Sequence, residues 1–523
     1  MSKFNRVNTR PNVTSAVQTA AVSTARTHQG GPGYARDAKS ELFILAVSNM
    51  VSEGTFYESG NARDDRYAQL VRQVAVEDLD WTTKFLAWLR DEANMRSASL
   101  VGALEAVHAR LSAKAHGGNR QLVASVLRRA DEPGEALAYW TATFGRPIPS
   151  AVDRGINDAV LSLYNERNLI KYDTASHGFR FADVIELTRA KPSAAWQSDL
   201  FKYAIDRRHN REFAASDALS MIHRNRALLA MPVNERRKLL ETQGAEFATT
   251  LREAGMTWEG LAGWLQGPMD AKAWEAIIPS MGYMALLRNL RNFDEAGISA
   301  ETASFVMNKL ANPEEVARSR QFPFRFLSAY RNSHVRWHGA LETAIQLSLS
   351  NVPALDGTTL ILVDQSGSMF TPISNKSTVL QSEQAAVFGA ALALRGEKVD
   401  LVQYGSGSAL VNFRRGDALL QIANRFTSMG GTNTAEAVNR HYNNHSRVIL
   451  VTDEQAGSYY YKDPFTQIPQ NVPTYTWNLV GYKHGHAPSG ANNRHTFGGM
   501  TDNAFKMIPL LESTKRAGWP WEH

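Results

Sequence analysis

Cysteine is absent from the 523-residue chain. That excludes a disulfide framework, a thiolate nucleophile, and zinc or iron–sulfur sites built on cysteine. Any metal must sit on oxygen or imidazole ligands. No apolar run reaches the roughly 18 residues needed to span a bilayer. The N-terminus is polar and lacks the apolar core of a signal peptide. A cytoplasmic protein with no membrane partner is therefore expected. Charge is nearly balanced, with 57 Lys+Arg against 51 Asp+Glu, a net of +6 and a pI near 9.3. That favours anionic partners only weakly. Residues from Asn351 onward carry 14 basic and 13 acidic side chains, so most of the excess lies before them. The chain is 43% hydrophobic and 21% charged, ordinary for a globular protein long enough for two or three domains.

Residues 1–38 are rich in Thr, Ser, Asn, Gly and Arg, include Gly30-Gly31-Pro32-Gly33, and sustain no apolar period; a flexible tail is expected. Residues 39–350 read as helical almost throughout. Leu100, Leu104, Val107 and Leu111 fall on one stripe of a helix, as do Trp81, Phe85, Leu86 and Leu89. His116-Gly117-Gly118 marks a turn before Leu122, Val126 and Leu127. Many helices joined by short polar turns suggest stacked helical pairs or one large irregular helical domain.

The texture changes over 351–523. Thr359 to Asp364 is a continuous apolar run ending in a carboxylate, and so is Arg447 to Asp453; both read as buried parallel strands. Further strands are expected over Lys398–Tyr404 and Thr474–Val480. Helices are expected over 381–395, 417–426 and 502–511. The alternation predicts a doubly wound α/β sheet, which binds ligands at the carboxyl ends of its strands. Asp364 and Asp453 would sit there.

Asp364-Gln365-Ser366-Gly367-Ser368 spells D-x-S-x-S directly after the first of these strands, and Gly430-Gly431-Thr432 precedes a helix. Magnesium takes oxygen ligands in near-octahedral geometry and keeps several waters. Three small hydroxyls (Ser366, Ser368, Thr432) and two carboxylates (Asp364, Asp453) suit it, or Mn²⁺. Gly367 allows the tight turn that faces both serines to one point. Such a site is underfilled and leaves a position for an outside carboxylate or phosphate. Ser366 is better explained as a ligand than as a nucleophile. His484, His486 and His495, in a Gly/Asn-rich stretch, match no familiar zinc spacing.

ILVDQSGSM, GGTNT and ILVTDE together resemble a von Willebrand factor A domain with a complete metal-ion-dependent adhesion site. Upstream, SRQFPF leading into LSAY (319–330), ALLRNL (285–290) and the stretch from LIKY (169–172) through FADVI (181–185) to Lys191-Pro192 are similar to the TROVE region of the Ro (SS-A) ribonucleoproteins. The order covers nearly the whole chain and looks like a bacterial or phage-type member. The resemblance implies a HEAT-like all-helical TROVE ring completed by the A domain. It implies binding of a Y-type small noncoding RNA and of single-stranded 3′ ends of misfolded RNA. It further implies work as a scaffold in RNA quality control or decay beside a 3′-to-5′ exoribonuclease, without enzymatic activity and without DNA. The alternative is a metal-dependent protein-interaction module serving an ATPase or chelatase-like machine.

The basic residues around the matched helical stretch are the expected RNA contacts: Arg154, Lys171, Arg180, Arg189 and Lys191. Their charged heads pair with phosphate oxygens and release counterions. Vertebrate members have a histidine near the position of Phe181, and His177 is displaced from it; an aromatic there would stack a base. A second basic cluster, Arg318, Arg320, Arg325, Arg331 and Arg336, is interleaved with Phe322, Phe324, Phe326, Tyr330 and Trp337. Aromatics at this spacing read first as packing.

Overall fold

The computed structural model describes residues 13–48, 50–212, 215–243, 245–350, 352–457, 463–513 and 518–522. The chain divides into two compact units. One comprises residues up to Ala98, Arg320–Ser328 and Glu342–His523; the other comprises Ser99–Ser319 and Ala329–Leu341.

The first unit is built on a sheet. Two short strands, β1 (Ala25–Arg26) and β2 (Pro32–Gly33), form an antiparallel hairpin. The main strands are β3 (Leu355–Asp364), β4 (Gly396–Tyr404), β5 (Ser408–Leu410), β6 (Arg447–Thr452), β7 (Thr474–Asn478) and β8 (Arg494–Gly498). They form one six-stranded sheet in the order β5-β4-β3-β6-β7-β8, all parallel except the edge strand β5. The chain leaves β3 towards β4 on one side and later enters β6 on the other. The crevice beyond the carboxyl ends of β3 and β6 is therefore the topological switch point, where such sheets bind ligands.

Both faces of the sheet are covered, which is why β6 is buried along its whole length. On one face Leu360, Leu362, Val402 and Leu450 pack with Ala437 and Val438 of the helix Thr434–His441. Against the other lies the helix Gln381–Arg395, buried from Gln384 to Ala393. Its Gly389 permits close approach, since a Cβ there would collide with Val363.

The N-terminal segment departs from the expected tail. From Val13 onward it is held to the sheet unit. The Val13 amide donates to Asn493 Oδ1 at 2.7 Å, Ser15 to the Gly490 carbonyl at 3.0 Å, and Tyr34 to the Gly485 carbonyl at 2.8 Å. Arg36 and Glu454 form an ion pair whose side chains are 1% and 0% exposed. The following helix, Ala38–Ser48, is buried from Ser40 to Ser48, and Val47 lies against Gly498 of β8. Polar composition suggested a tail, yet these backbone groups find partners more than 400 residues away. The expected boundaries shift accordingly. The sheet unit takes in residues up to Ala98, not only 351–523.

The second unit is helical, with no strand among its described residues. Leu104, Val107, Leu122, Val126 and Leu127 are buried, as their periodicity implied. Phe181 is buried too and stacks on Tyr164 with centroids 3.8 Å apart. It is a core residue, not the base-stacking platform its position suggested. The second basic cluster is divided between the units and shows packing in each: Phe324 and Phe326 are buried in the first, and in the second Trp337 is buried, Arg318 pairs with Glu315 and Arg336 pairs with Asp294.

Candidate nucleic-acid interface and metal centre

Within the sheet unit, the D-x-S-x-S loop leaves the end of β3 and immediately meets the 429–432 segment. The Gln365 carbonyl accepts from the Met429 amide at 2.9 Å, and the Gly367 amide donates to the Gly430 carbonyl at 2.7 Å. Gly430 adopts φ of +79°, which the loop preceding Thr432 requires. Asp364, Ser366, Ser368, Thr432 and Asp453 are each 5% exposed or less. Asp364 Oδ1 accepts from the Ser366 amide at 2.9 Å, and its Oδ2 accepts from Thr452 Oγ1 at 2.6 Å. Asp453 Oδ1 accepts from the Gln455 amide at 2.9 Å.

These partners orient the carboxylates but do not saturate the site. Thr432 Oγ1 and Asp453 Oδ2 are buried with no hydrogen-bond partner, and each such orphan atom costs free energy unless something fills the space. Ser366 Oγ and Ser368 Oγ lie 3.4 Å apart. Neighbouring ligands of an octahedral Mg²⁺ sit about 3 Å apart, given metal–oxygen distances of about 2.1 Å. The donor set fits a hard divalent cation. Among the described residues no cluster of three or more His, Asp or Glu side chains offers a competing site.

The electrostatics point the same way. Burial pushes the Asp453 carboxyl up to about 8, and the neighbouring Asp364 carboxylate adds to it. Burial raises Asp364 as well, against hydrogen bonds from Thr452 and Ser366 that favour its charged form. Two buried carboxylates side by side need a cation or a proton. Tyr57 stands beside them. Burial raises its phenol, Asp453 and Asp364 add to the shift, and hydrogen bonds with Gln29 and Ser368 oppose it. Sequence reasoning missed Tyr57, which lies about 300 residues from the motif, and gave no role to Thr452, which lies within it. His495 lies within β8, stacked on Tyr475, and burial holds its imidazole down to about 3. That imidazole is a core group.

The helical unit holds a separate cavity of about 430 Å³. Its rim carries Arg129, Arg167, Lys171, Arg252 and Arg288; the one carboxylate in its lining is Glu259. Arg167 and Lys171 are one turn apart on the helix Glu166–Tyr172 and share a face. Arg252 is in the last turn of Ala245–Glu253, and Arg288 lies on Tyr283–Ala296. Arg129 is neutralised by Asp131. Arg167, Lys171, Arg252 and Arg288 are exposed and have no ion pair among the described residues. Lys171 and Arg129 both lie over the Tyr172 ring, at 4.8 and 5.5 Å from its centroid. Trp258 forms part of the wall and packs on Trp274 at 5.7 Å.

The segment ALLRNL divides its duties here. Leu286, Leu287 and Leu290 are core, whereas Ala285, Arg288 and Asn289 face the cavity. Of the five expected RNA contacts, only Lys171 lines this cavity. Arg180 is half-buried and pairs with Asp173, its Nη2 2.8 Å from Oδ2. Arg189 and Arg154 both lie near Asp153, where they oppose the upward shift that burial gives its carboxyl. Lys191 is exposed. Arg167, Arg252, Arg288 and Trp258 were missed. The helices that carry them are distant in sequence, and only the i, i+4 spacing of Arg167 and Lys171 gave a local signal.

Residues 255–334 match the family model of the TROVE domain. Two curated relatives, the telomerase protein component 1 of Mus musculus and that of Rattus norvegicus, are each 45% identical over 62 residues. That match spans 12% of this chain and 2% of each relative. The fold is that of the crystal structure of the Deinococcus radiodurans Ro (RSR) protein, with a TM-score of 0.60 over 91% of this chain and 99% of that chain. At 18% identity the likeness is one of fold. Residues 255–334 thus match a TROVE domain, in a chain whose fold has a helical unit and an α/β sheet unit.

Proposed function

We propose that this protein binds RNA through its helical unit and acts as a non-catalytic scaffold. One observation carries the reading: four cations without ion-pair partners among the described residues gather around an aromatic-walled cavity, at the edge of the TROVE-matched stretch. Unpaired basic groups meeting phosphates are the general source of nucleic-acid affinity, and aromatic faces accept unstacked bases. The partners in this reading are a Y-type small noncoding RNA and RNAs with single-stranded 3′ ends. A 3′-to-5′ exoribonuclease would supply the hydrolysis that the scaffold lacks.

Asp364, Ser366, Ser368, Thr432 and Asp453 would hold Mg²⁺ or Mn²⁺, directly or through water. The ion would supply a positive centre that neutralises two buried carboxylates. The five side chains are nearly inaccessible and Tyr57 stands beside them. That favours a stabilising metal over one that grips an outside carboxylate, and so favours the RNA scaffold over the protein-interaction alternative. The test is equilibrium binding of the full chain to a labelled RNA with a free single-stranded 3′ end, against a blunt duplex, at low salt. Tighter binding of the single-stranded form with the RNA left intact is expected. Absence of binding to either removes the proposal.

A further inference from the structure

The cationic cavity of the helical unit contains more than a phosphate requires. A phosphate group needs donors and positive charge, and the rim provides these through Arg167, Lys171, Arg252 and Arg288. The cavity is nevertheless about 430 Å³, within the range of sites that enclose whole small molecules. Much of the rest of its wall is apolar, contributed by Trp258, Met256, Met281 and Met284 beside Tyr172. Gly255 helps shape that wall. Its φ is +63°, and a Cβ there would press on Met221 and Ile170. It turns the chain between Arg252 and Trp258, so that charge and ring face the same space.

Of the neutral polar side chains in the lining, Thr257, Ser280 and Asn289 are already engaged, which leaves the Tyr172 hydroxyl and the Trp258 indole N–H. Thr257 Oγ1 accepts from the Gly260 amide at 3.0 Å, and Ser280 Oγ donates to the Ile277 carbonyl at 2.9 Å. Asn289 Nδ2 donates to the Ala285 carbonyl at 2.8 Å, while its Oδ1 accepts from Asn292 at 2.7 Å. Few uncommitted donors or acceptors remain to read the edge of a base. Strong charge, an apolar aromatic wall and little directional hydrogen bonding define the ligand by elimination. It has an anionic end, a flat apolar body, and no required edge pattern.

We propose that this cavity takes one unstacked nucleotide of an RNA strand. Its phosphate and the phosphates flanking it on the strand meet the four cations, its base rests against Trp258 and the methionines, and any of the four bases is accepted. The proposal rests on the RNA-binding reading and names the subsite within it. A base that leaves its stack loses the stacking energy it had with its neighbours. The aromatic wall replaces that contact without selecting sequence.

The test uses the full chain and three probes: nucleoside 5′-monophosphates (adenosine and cytidine), the free nucleosides, and inorganic phosphate. Each competes with a fluorescent single-stranded oligonucleotide. Both monophosphates should displace it at concentrations within about threefold of one another. Each should act at least tenfold more strongly than inorganic phosphate, about 1.4 kcal/mol, and more strongly than its nucleoside. The Arg167→Ala, Arg288→Ala double variant should weaken monophosphate binding at least tenfold. Both side chains are exposed, so its thermal melting should be unchanged; Arg288→Lys should restore part of the affinity.

If the oligonucleotide binds but no monophosphate competes, or the double variant binds as wild type, the pocket is misassigned and the RNA reading stands. If the monophosphates bind by direct calorimetric titration and the oligonucleotide does not bind, the pocket stands and the RNA reading falls. If inorganic phosphate competes equally well, the cavity is a bare anion site and the base-binding half is overturned. Failure of every probe to bind overturns both.

Discussion

Replacing Arg167 and Arg288 together by alanine removes two of the four rim cations that lack an ion pair among the described residues. For single strands, log K falls with log salt at about −0.7 per phosphate neutralised. Four contacts give a slope near −2.8, and two leave about −1.4. Between 50 and 200 mM salt the wild-type affinity should therefore fall about 50-fold, and that of the variant about sevenfold. Fluorescence anisotropy of a labelled single-stranded RNA at five salt concentrations measures both slopes. Neither residue lies in a core, so the thermal unfolding of the variant should match that of wild type. A variant that keeps the wild-type slope would refute the assignment of these cations to phosphate contacts, whatever happens to the affinity at one salt concentration.

Arg180→Ala should act differently. Its guanidinium pairs with Asp173, whose side chain is 3% exposed, so its loss should destabilise the helical unit by about 2 kcal/mol in urea unfolding. The salt slope of RNA binding should not move. Asp364→Asn should abolish Mg²⁺ binding by calorimetry while leaving RNA affinity within about twofold, because it removes charge that no neighbour replaces. Asp453 gives a pH dependence. Its folded carboxyl is raised to about 8 from an ordinary value near 3.8, so without metal the folded chain holds a proton that the unfolded chain has released. Its contribution to stability is then fully present below about pH 4 and lost as pH rises towards 8. Metal binding near pH 7 should release close to one proton, read by calorimetry in buffers of different ionisation enthalpy, and added Mg²⁺ should flatten the pH dependence of the melting temperature.

The residues of the candidate metal centre were legible because they are local. A buried strand ending in a carboxylate announces itself as an apolar run, as Thr359–Asp364 and Arg447–Asp453 do, and D-x-S-x-S follows the first within four residues. The helix over 381–395 was equally plain, and the structure has it with the same ends. What was hidden is long-range. Arg36 and Glu454 are 418 residues apart and oppositely charged, as hundreds of pairs are; only folding shows that they bury one another. The strand Arg494–Gly498 was masked by Asn492 and Asn493, which carry positive φ and read as a loop. In the helical unit, charge alone could not separate Arg180, which neutralises Asp173, from Arg288, which faces a cavity. Helical periodicity says which face is buried, and not what meets the other face.

Photocrosslinking reads out which residues a bound RNA strand meets. A single-stranded RNA carrying 4-thiouridine is bound to the full chain at low salt, irradiated, digested and mapped by mass spectrometry. Assignment of this cavity to RNA requires crosslinks at Tyr172 and Trp258, or within the peptides carrying Arg167, Arg252 and Arg288, that disappear when unlabelled RNA competes. Crosslinks confined to the sheet unit, or spread over the helical unit without enrichment at this cavity, would contradict it.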